Sequence, residues 1–176
     1  MRLFRLLTAP LAACVMAACS GSALPSSPED GGGASVSASV SRSGEGLRLI
    51  YCKPFDEASR TATIGTLGGT IRVGPHSLLI PPGALLSPTA ITARITKNDY
   101  SHSVLFSPAG LQFAVPALLT LSYDGCDRQT LLQKLQVVYT SDNLGLILSL
   151  LPSVNEPFHK TTTGTVNHFS RYAVAY

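Results

Sequence analysis

The chain has 176 residues, 45% of them hydrophobic and only 13% charged, with 13 basic and 10 acidic residues for a formal charge of +3. That length holds one domain plus extensions, and the charge is inflated by the N-terminus: without residues 1–18, which carry Arg2 and Arg5, 11 basic residues face 10 acidic ones, a net of +1. No basic stretch remains as the electrostatic footprint of a nucleic-acid binder, so no nucleic-acid partner is expected.

Met1–Ala18 places Arg2 and Arg5 ahead of an apolar run that ends in small residues. This is the grammar of an export signal, too short for a membrane span. Its end, Met16-Ala17-Ala18-Cys19, resembles the lipobox of bacterial lipoproteins. Leu11-Ala12-Ala13-Cys14 also fits, but it would leave only Leu6–Pro10 as apolar core, which favours Cys19. The resemblance implies cleavage before Cys19 and acylation of that cysteine. Acyl chains anchor firmly, because each buried CH₂ contributes about 0.8 kcal/mol. Ser20, where inner-membrane lipoproteins usually carry aspartate, implies the outer membrane, with the protein facing the periplasm or the cell surface.

Residues 19–46 follow as a linker. Ser20–Gly46 holds nine serines and six glycines in 27 residues, too little apolar surface to offset its ordering entropy. As a flexible coil it spans roughly 30 Å.

Residues 47–176 form the expected domain. Leu47–Cys52 reads as an entry strand, and Arg60–Ile64 leads into a turn at Gly68-Gly69. Thr70–Val73 and Ser77–Ile80 read as two strands joined by Gly74-Pro75-His76, the second stopped by Pro81-Pro82-Gly83 because proline donates nothing to a ladder. Ile71, Val73, Leu78, Ile80 and Leu85 are its inward residues. Further strands are expected at Thr89–Thr96, Val104–Phe106, Leu111–Phe113, Leu118–Tyr123, Gln136–Thr140, Leu144–Leu151, Thr161–Val166 and Phe169–Tyr176, with Gln129–Leu135 the one helical segment. Short strands with turn signals every 8–12 residues argue a single all-β sandwich.

Gly68-Gly69 followed by Ser77-Leu78-Leu79-Ile80-Pro81-Pro82-Gly83-Ala84-Leu85 resembles the start of the ZU-five domain, the β-sandwich of zonula-occludens, netrin-receptor and ankyrin proteins. Roughly Thr61–Tyr176 is similar to ZU-five-like domains of bacterial lipoproteins. The resemblance implies a fold and leaves activity open.

With Cys14 removed and Cys19 acylated, Cys52 and Cys126 remain, and an oxidising compartment makes a disulfide between them the default. Two separate buried thiols, or half of a metal site, are the alternatives. No Cys-X-X-Cys is present, and His76, His102, His159 and His168 are scattered, so neither metal nor cofactor is expected. His76 and His102 fall in predicted turns and read as solvated. Asp124 and Asp127 read as a polar turn rather than an acid/base pair or calcium loop. Nothing local marks a Ser-His-Asp hydrolase triad.

His168-Phe169-Ser170 stands apart. Some ZU-five proteins cut themselves within a His-hydrophobic-Ser/Thr tripeptide, the hydroxyl attacking the preceding carbonyl with histidine as base. In a strand, His168 and Ser170 share a face, which suits that chemistry. The other reading is a terminal strand, Val166–Val174, and it is favoured because cleavage would release only Ser170–Tyr176. The expected function is therefore binding or structural, without turnover, and autoproteolysis is the alternative. A protein or envelope polymer would engage an exposed sheet edge or the loops around Pro54–Arg60 and Tyr100–Val104.

Overall fold

The computed structural model describes residues 46–176. The leader, Cys14, Cys19 and the linker up to residue 45 lie outside the described residues. The described residues are nearly all β, in two antiparallel sheets. One contains β1 (Ala58–Ile64), β4 (Thr89–Ile95), β5 (Val104–Ser107), β7 (Gln136–Thr140), β8 (Ile147–Leu150) and β11 (Arg171–Ala175), in the order β1-β4-β5-β11-β7-β8. The other contains β2 (Gly69–Val73), β3 (His76–Ile80), β6 (Gln112–Ser122), β9 (Ser153–Glu156) and β10 (Thr161–His168), in the order β2-β3-β6-β10-β9. Among the described residues the helical segment is a single turn, α1 (Arg128–Leu131), which overlaps the start of the expected Gln129–Leu135.

Gly74-Pro75 closes the β2–β3 hairpin as a two-residue loop, with Val73 opposite His76. His76 is thus the first residue of a strand, not part of the turn, and alternation sends it inward with Leu78 and Ile80. Ile71, Val73, Leu78, Ile80 and Leu85 are all buried, as expected. At Gly68 the chain needs a glycine: φ is +72° and a Cβ would lie 2.3 Å from the carbonyl oxygen of Ile80.

Several boundaries differ from the sequence reading. Leu111–Phe113 and Leu118–Tyr123 belong to one long strand, β6, that runs through Pro116. The proline is tolerated because β3 pairs only at Leu118–Thr120, and the β6–β10 register slips between Ala117 and Gln112, where no ladder bond is demanded. Leu47–Cys52 is no full strand. Its Arg48 and Tyr176 exchange backbone bonds of 2.9 Å, and Ile50 N–H donates to Val174 at 3.0 Å. This segment occupies the side of β11 that β5, paired only at Arg171 and Tyr172, leaves open. β9 is a strand the sequence did not suggest, and the terminal strand is divided between β10 and β11 in different sheets.

The core lies between the sheets, with Ile91, Phe106, Leu119, Leu121, Val137, Phe169 and Tyr172 among its most buried members. A smaller cluster, Val138, Ala173 and Ala175, sits on the outer face of the six-stranded sheet under Leu49, Leu144 and Ile147. The sheets approach closely where Gly164 of β10 faces Val137 of β7, since a Cβ there would lie 2.7 Å from Val137 Cβ. Gly164→Ala should therefore lower stability by about 1–3 kcal/mol. Urea unfolding should show a lower midpoint at unchanged slope, whereas Gly46→Ala, with nothing within 4 Å of the added carbon, should match the parent.

Candidate functional site

The densest group of polar side chains lies under the segment that enters the sandwich. Cys52 and Cys126 are joined by a disulfide with Cα atoms 4.5 Å apart across 74 residues of sequence. In the chain-entropy account, closing that loop contributes about 4 kcal/mol. The Cys52 N–H donates to Tyr100 at 2.9 Å, so the bridge also holds the β4–β5 loop.

That loop folds around the carboxylate of Asp99. Oδ1 accepts from the N–H and hydroxyl of Ser101 at 2.9 and 2.6 Å, and Oδ2 from the N–H and hydroxyl of Ser103 at 2.8 and 2.5 Å. Four donors compensate a buried carboxylate, and the wrapped loop carries His102 inward at φ +51°, a region that non-glycine residues seldom occupy. His102 is fully buried. Its Nε2 lies 2.9 Å from the carbonyl of Lys53 and its Nδ1 lies 3.1 Å from the carbonyl of Ser122. Carbonyls only accept, so both bonds form together only on a ring carrying both protons.

His76 reaches the same place from β3. Its Nδ1 accepts from the Ser122 N–H at 3.1 Å, which puts the ring proton on Nε2, and that atom is buried without a partner. Phe55 packs against both rings, with centroids 4.1 Å from His102 and 5.4 Å from His76. Burial, reinforced by the charge of His102 and opposed by Asp99, lowers the His76 pKa to about 3. Neither histidine is solvated, contrary to the sequence expectation. A two-residue hairpin loop buries one and the Asp99 wrap buries the other.

The two sulfurs and a His102 nitrogen lie within 4.8 Å of one another, the grouping a thiolate metal site would use. Here the sulfurs are bonded to each other and the ring nitrogens face carbonyls. His102 bonds neither Ser101 nor Ser103 among the described residues, so no nucleophile–base relay assembles. The group joins three stretches of backbone: the entry segment, the β4–β5 loop and the end of β6.

The other candidate acids separate. Asp124 pairs with Lys160 at 2.6 Å, whose hydrogen bond lowers its pKa. Asp127 caps α1, accepting from Thr130 N–H at 2.7 Å, which lowers its pKa too. His159 is exposed beside Glu156 at 3.3 Å.

His168-Phe169-Ser170 is not a continuous strand. His168 ends β10, Arg171 begins β11 in the other sheet, and Phe169 is buried between the sheets against Phe106 and Phe113. The break follows from the register slip at Val166/His168 and from burial of Phe169. The His168 ring meets Tyr139 edge-on at 4.9 Å, while the Tyr172 hydroxyl, 3.5 Å from its Nδ1, donates to its backbone carbonyl at 2.6 Å. Burial raises the Tyr172 pKa, which keeps that hydroxyl a donor. No hydrogen bond links His168 to the Ser170 hydroxyl among the described residues. The Phe169 carbonyl accepts from Gly110 N–H at 3.0 Å, and Phe169 N–H donates to Leu111 at 2.8 Å.

Two open sides flank the sandwich. At one, edge strands β1 and β2 border a cleft of about 620 Å³. Arg60 pairs across the ladder with buried Ala93 and so lies on the inward face of β1 at the mouth of this cleft. Arg72 lines it too, no acid does, and neither arginine has an ion-pair partner among the described residues. No protein-family model matches the chain, and no curated protein matches it.

The unpartnered, neutral His76 leaves a signature in stability. The folded state holds it neutral down to about pH 3, whereas the unfolded chain protonates it near the ordinary histidine value of 6.5. Between these values the unfolded state binds more protons, so stability falls as pH drops, by up to about 1.4 kcal/mol per pH unit from this group. His76→Phe should be less stable than the parent at pH 7 by about 1–3 kcal/mol, because the Ser122 N–H loses its acceptor. Urea midpoints should converge toward pH 4; a constant gap would remove this account of His76.

Proposed function

We propose that the chain is a lipid-anchored outer-membrane protein whose ZU-five-like sandwich binds a partner and performs no turnover. The observation that carries this reading is the direction of the polar groups. Asp99, His102 and the disulfide are committed to the chain's own backbone and loops, while Arg60 and Arg72, without an ion-pair partner among the described residues, border an open cleft. The free backbone groups of β1 suit an extended segment added as a further strand, and two arginines without an acid suit an anionic one. The β4–β5 loop is set aside as a binding surface, since Ser101 to Val104 are buried.

Self-cleavage between Phe169 and Ser170 is the second reading. It is favoured by the Gly110 N–H on the carbonyl to be attacked, one element of an oxyanion site. Against it, the imidazole is engaged with Tyr139 and Tyr172.

Intact-mass measurement of protein purified from membranes should find a chain that starts at an acylated Cys19 and ends at Tyr176, and Cys19→Ser should release it from the membrane. An unacylated chain removes the anchor; a chain ending at Phe169 replaces this reading with the second. For the binding surface, titration with polyglutamate should shift amide resonances of β1 and β2. No shifts, or shifts confined to other strands, would remove the cleft from the proposal.

A further inference from the structure

The outer face of the six-stranded sheet beside β8 has a different character. β8 is the edge strand of the six-stranded sheet, and residues 143–153 carry no charge. Leu146, Leu148 and Leu150 are 65%, 51% and 41% exposed, and Leu47 is 42% exposed. All four line one groove of about 680 Å³, whose single charged lining residue is Arg48. Edge strands in proteins free in water are usually blunted by charge or proline, because an apolar edge invites association. β8 has only its shortness and the following Pro152 as such a device, and its leucines stay exposed.

We propose that this groove is a docking surface for a phospholipid membrane. Two observations choose that occupant. The described chain begins at Gly46, so the 45 residues before it join the sandwich at Leu47, in the groove itself. An anchor at Cys19 is therefore joined, through its flexible linker, to this face rather than to the cationic cleft; to that extent the inference rests on the lipid-anchor reading. The lining also pairs exposed leucines with one cation and no acid, which suits an anionic interface where leucines enter the acyl boundary and arginine stays among head groups. At that depth the free backbone groups of β8 remain hydrated, so the edge does not have to enter hydrocarbon.

The chain contains no tryptophan, so a single introduced one reports on its own surroundings. The chain from residue 19 onward, without the leader and carrying Cys19→Ser and Leu146→Trp, is mixed with phosphatidylethanolamine/phosphatidylglycerol vesicles. Its emission should shift to the blue and be quenched by brominated acyl chains. Leu67→Trp, at an 87% exposed turn site joining β1 and β2, should do neither. With Leu148→Glu and Arg48→Glu added, the partition coefficient should fall roughly tenfold or more. Circular dichroism and an intact disulfide check that these surface changes leave the fold in place. Emission unchanged by lipid overturns the proposal. So does a concentration-dependent blue shift without lipid, accompanied by a dimer in sedimentation, which would assign the groove to a second copy of the chain. Neither result depends on whether native Cys19 is acylated, which intact mass reports separately.

Discussion

Two backbone carbonyls, from Lys53 and Ser122, converge on the ring of His102, and the position of the entry segment depends on that contact. Residues 47–57 contain no regular strand, so a ladder cannot hold them as it holds the rest of the chain. They are fixed by the imidazole, by the disulfide one residue before Lys53, and by the bonds of Arg48 and Ile50 to β11. Asp99 is the means by which His102 gets there. Without four donors from Ser101 and Ser103 the buried carboxylate would be costly, and with them the loop has one compact shape. Once the entry segment is seated, Leu49 covers Ala173 and Ala175, and the outer face of β11 is shielded from water.

Much of this was legible in the sequence, and the part that was not has a common physical origin. Alternation assigned the inward side chains of β2 and β3 correctly, because in a half-buried strand the pattern itself is the cause of burial. The prolines at 81 and 82 ended β3 as expected. His76 and His102 were misplaced because a histidine near a turn carries no periodic signal. One was buried by a single-residue difference in hairpin length, the other by a carboxylate three positions away that reads in sequence as a surface residue. β9 was invisible because Ser-Val-Asn-Glu has little apolar content. It exists because β10 offers an unpaired edge and because Ser153 Oγ accepts from Val137 N–H at 3.0 Å, linking the two sheets.

His168-Phe169-Ser170 shows the limit of spacing arguments. A one-residue gap puts two side chains on the same face only while the backbone stays extended. Burying Phe169 between the sheets breaks that condition, and the residues then serve a corner: the Tyr172 hydroxyl returns to the carbonyl of His168, as in the tyrosine corner of other sandwiches.

The β1/β2 cleft and the groove beside β8 are chemically opposed. Arg60 is an inward-pointing charge on β1, a device that discourages indiscriminate pairing with neighbouring strands while leaving room for a partner that neutralises it. The β8 side has no such charge on its strand, only Arg48 from the entry segment, and it is crossed by the chain that leads toward residue 45. Under the proposed N-terminal tether, the guarded side is the one turned away from the membrane, since Arg60 and Arg72 lie across the sandwich from the groove that Leu47 enters.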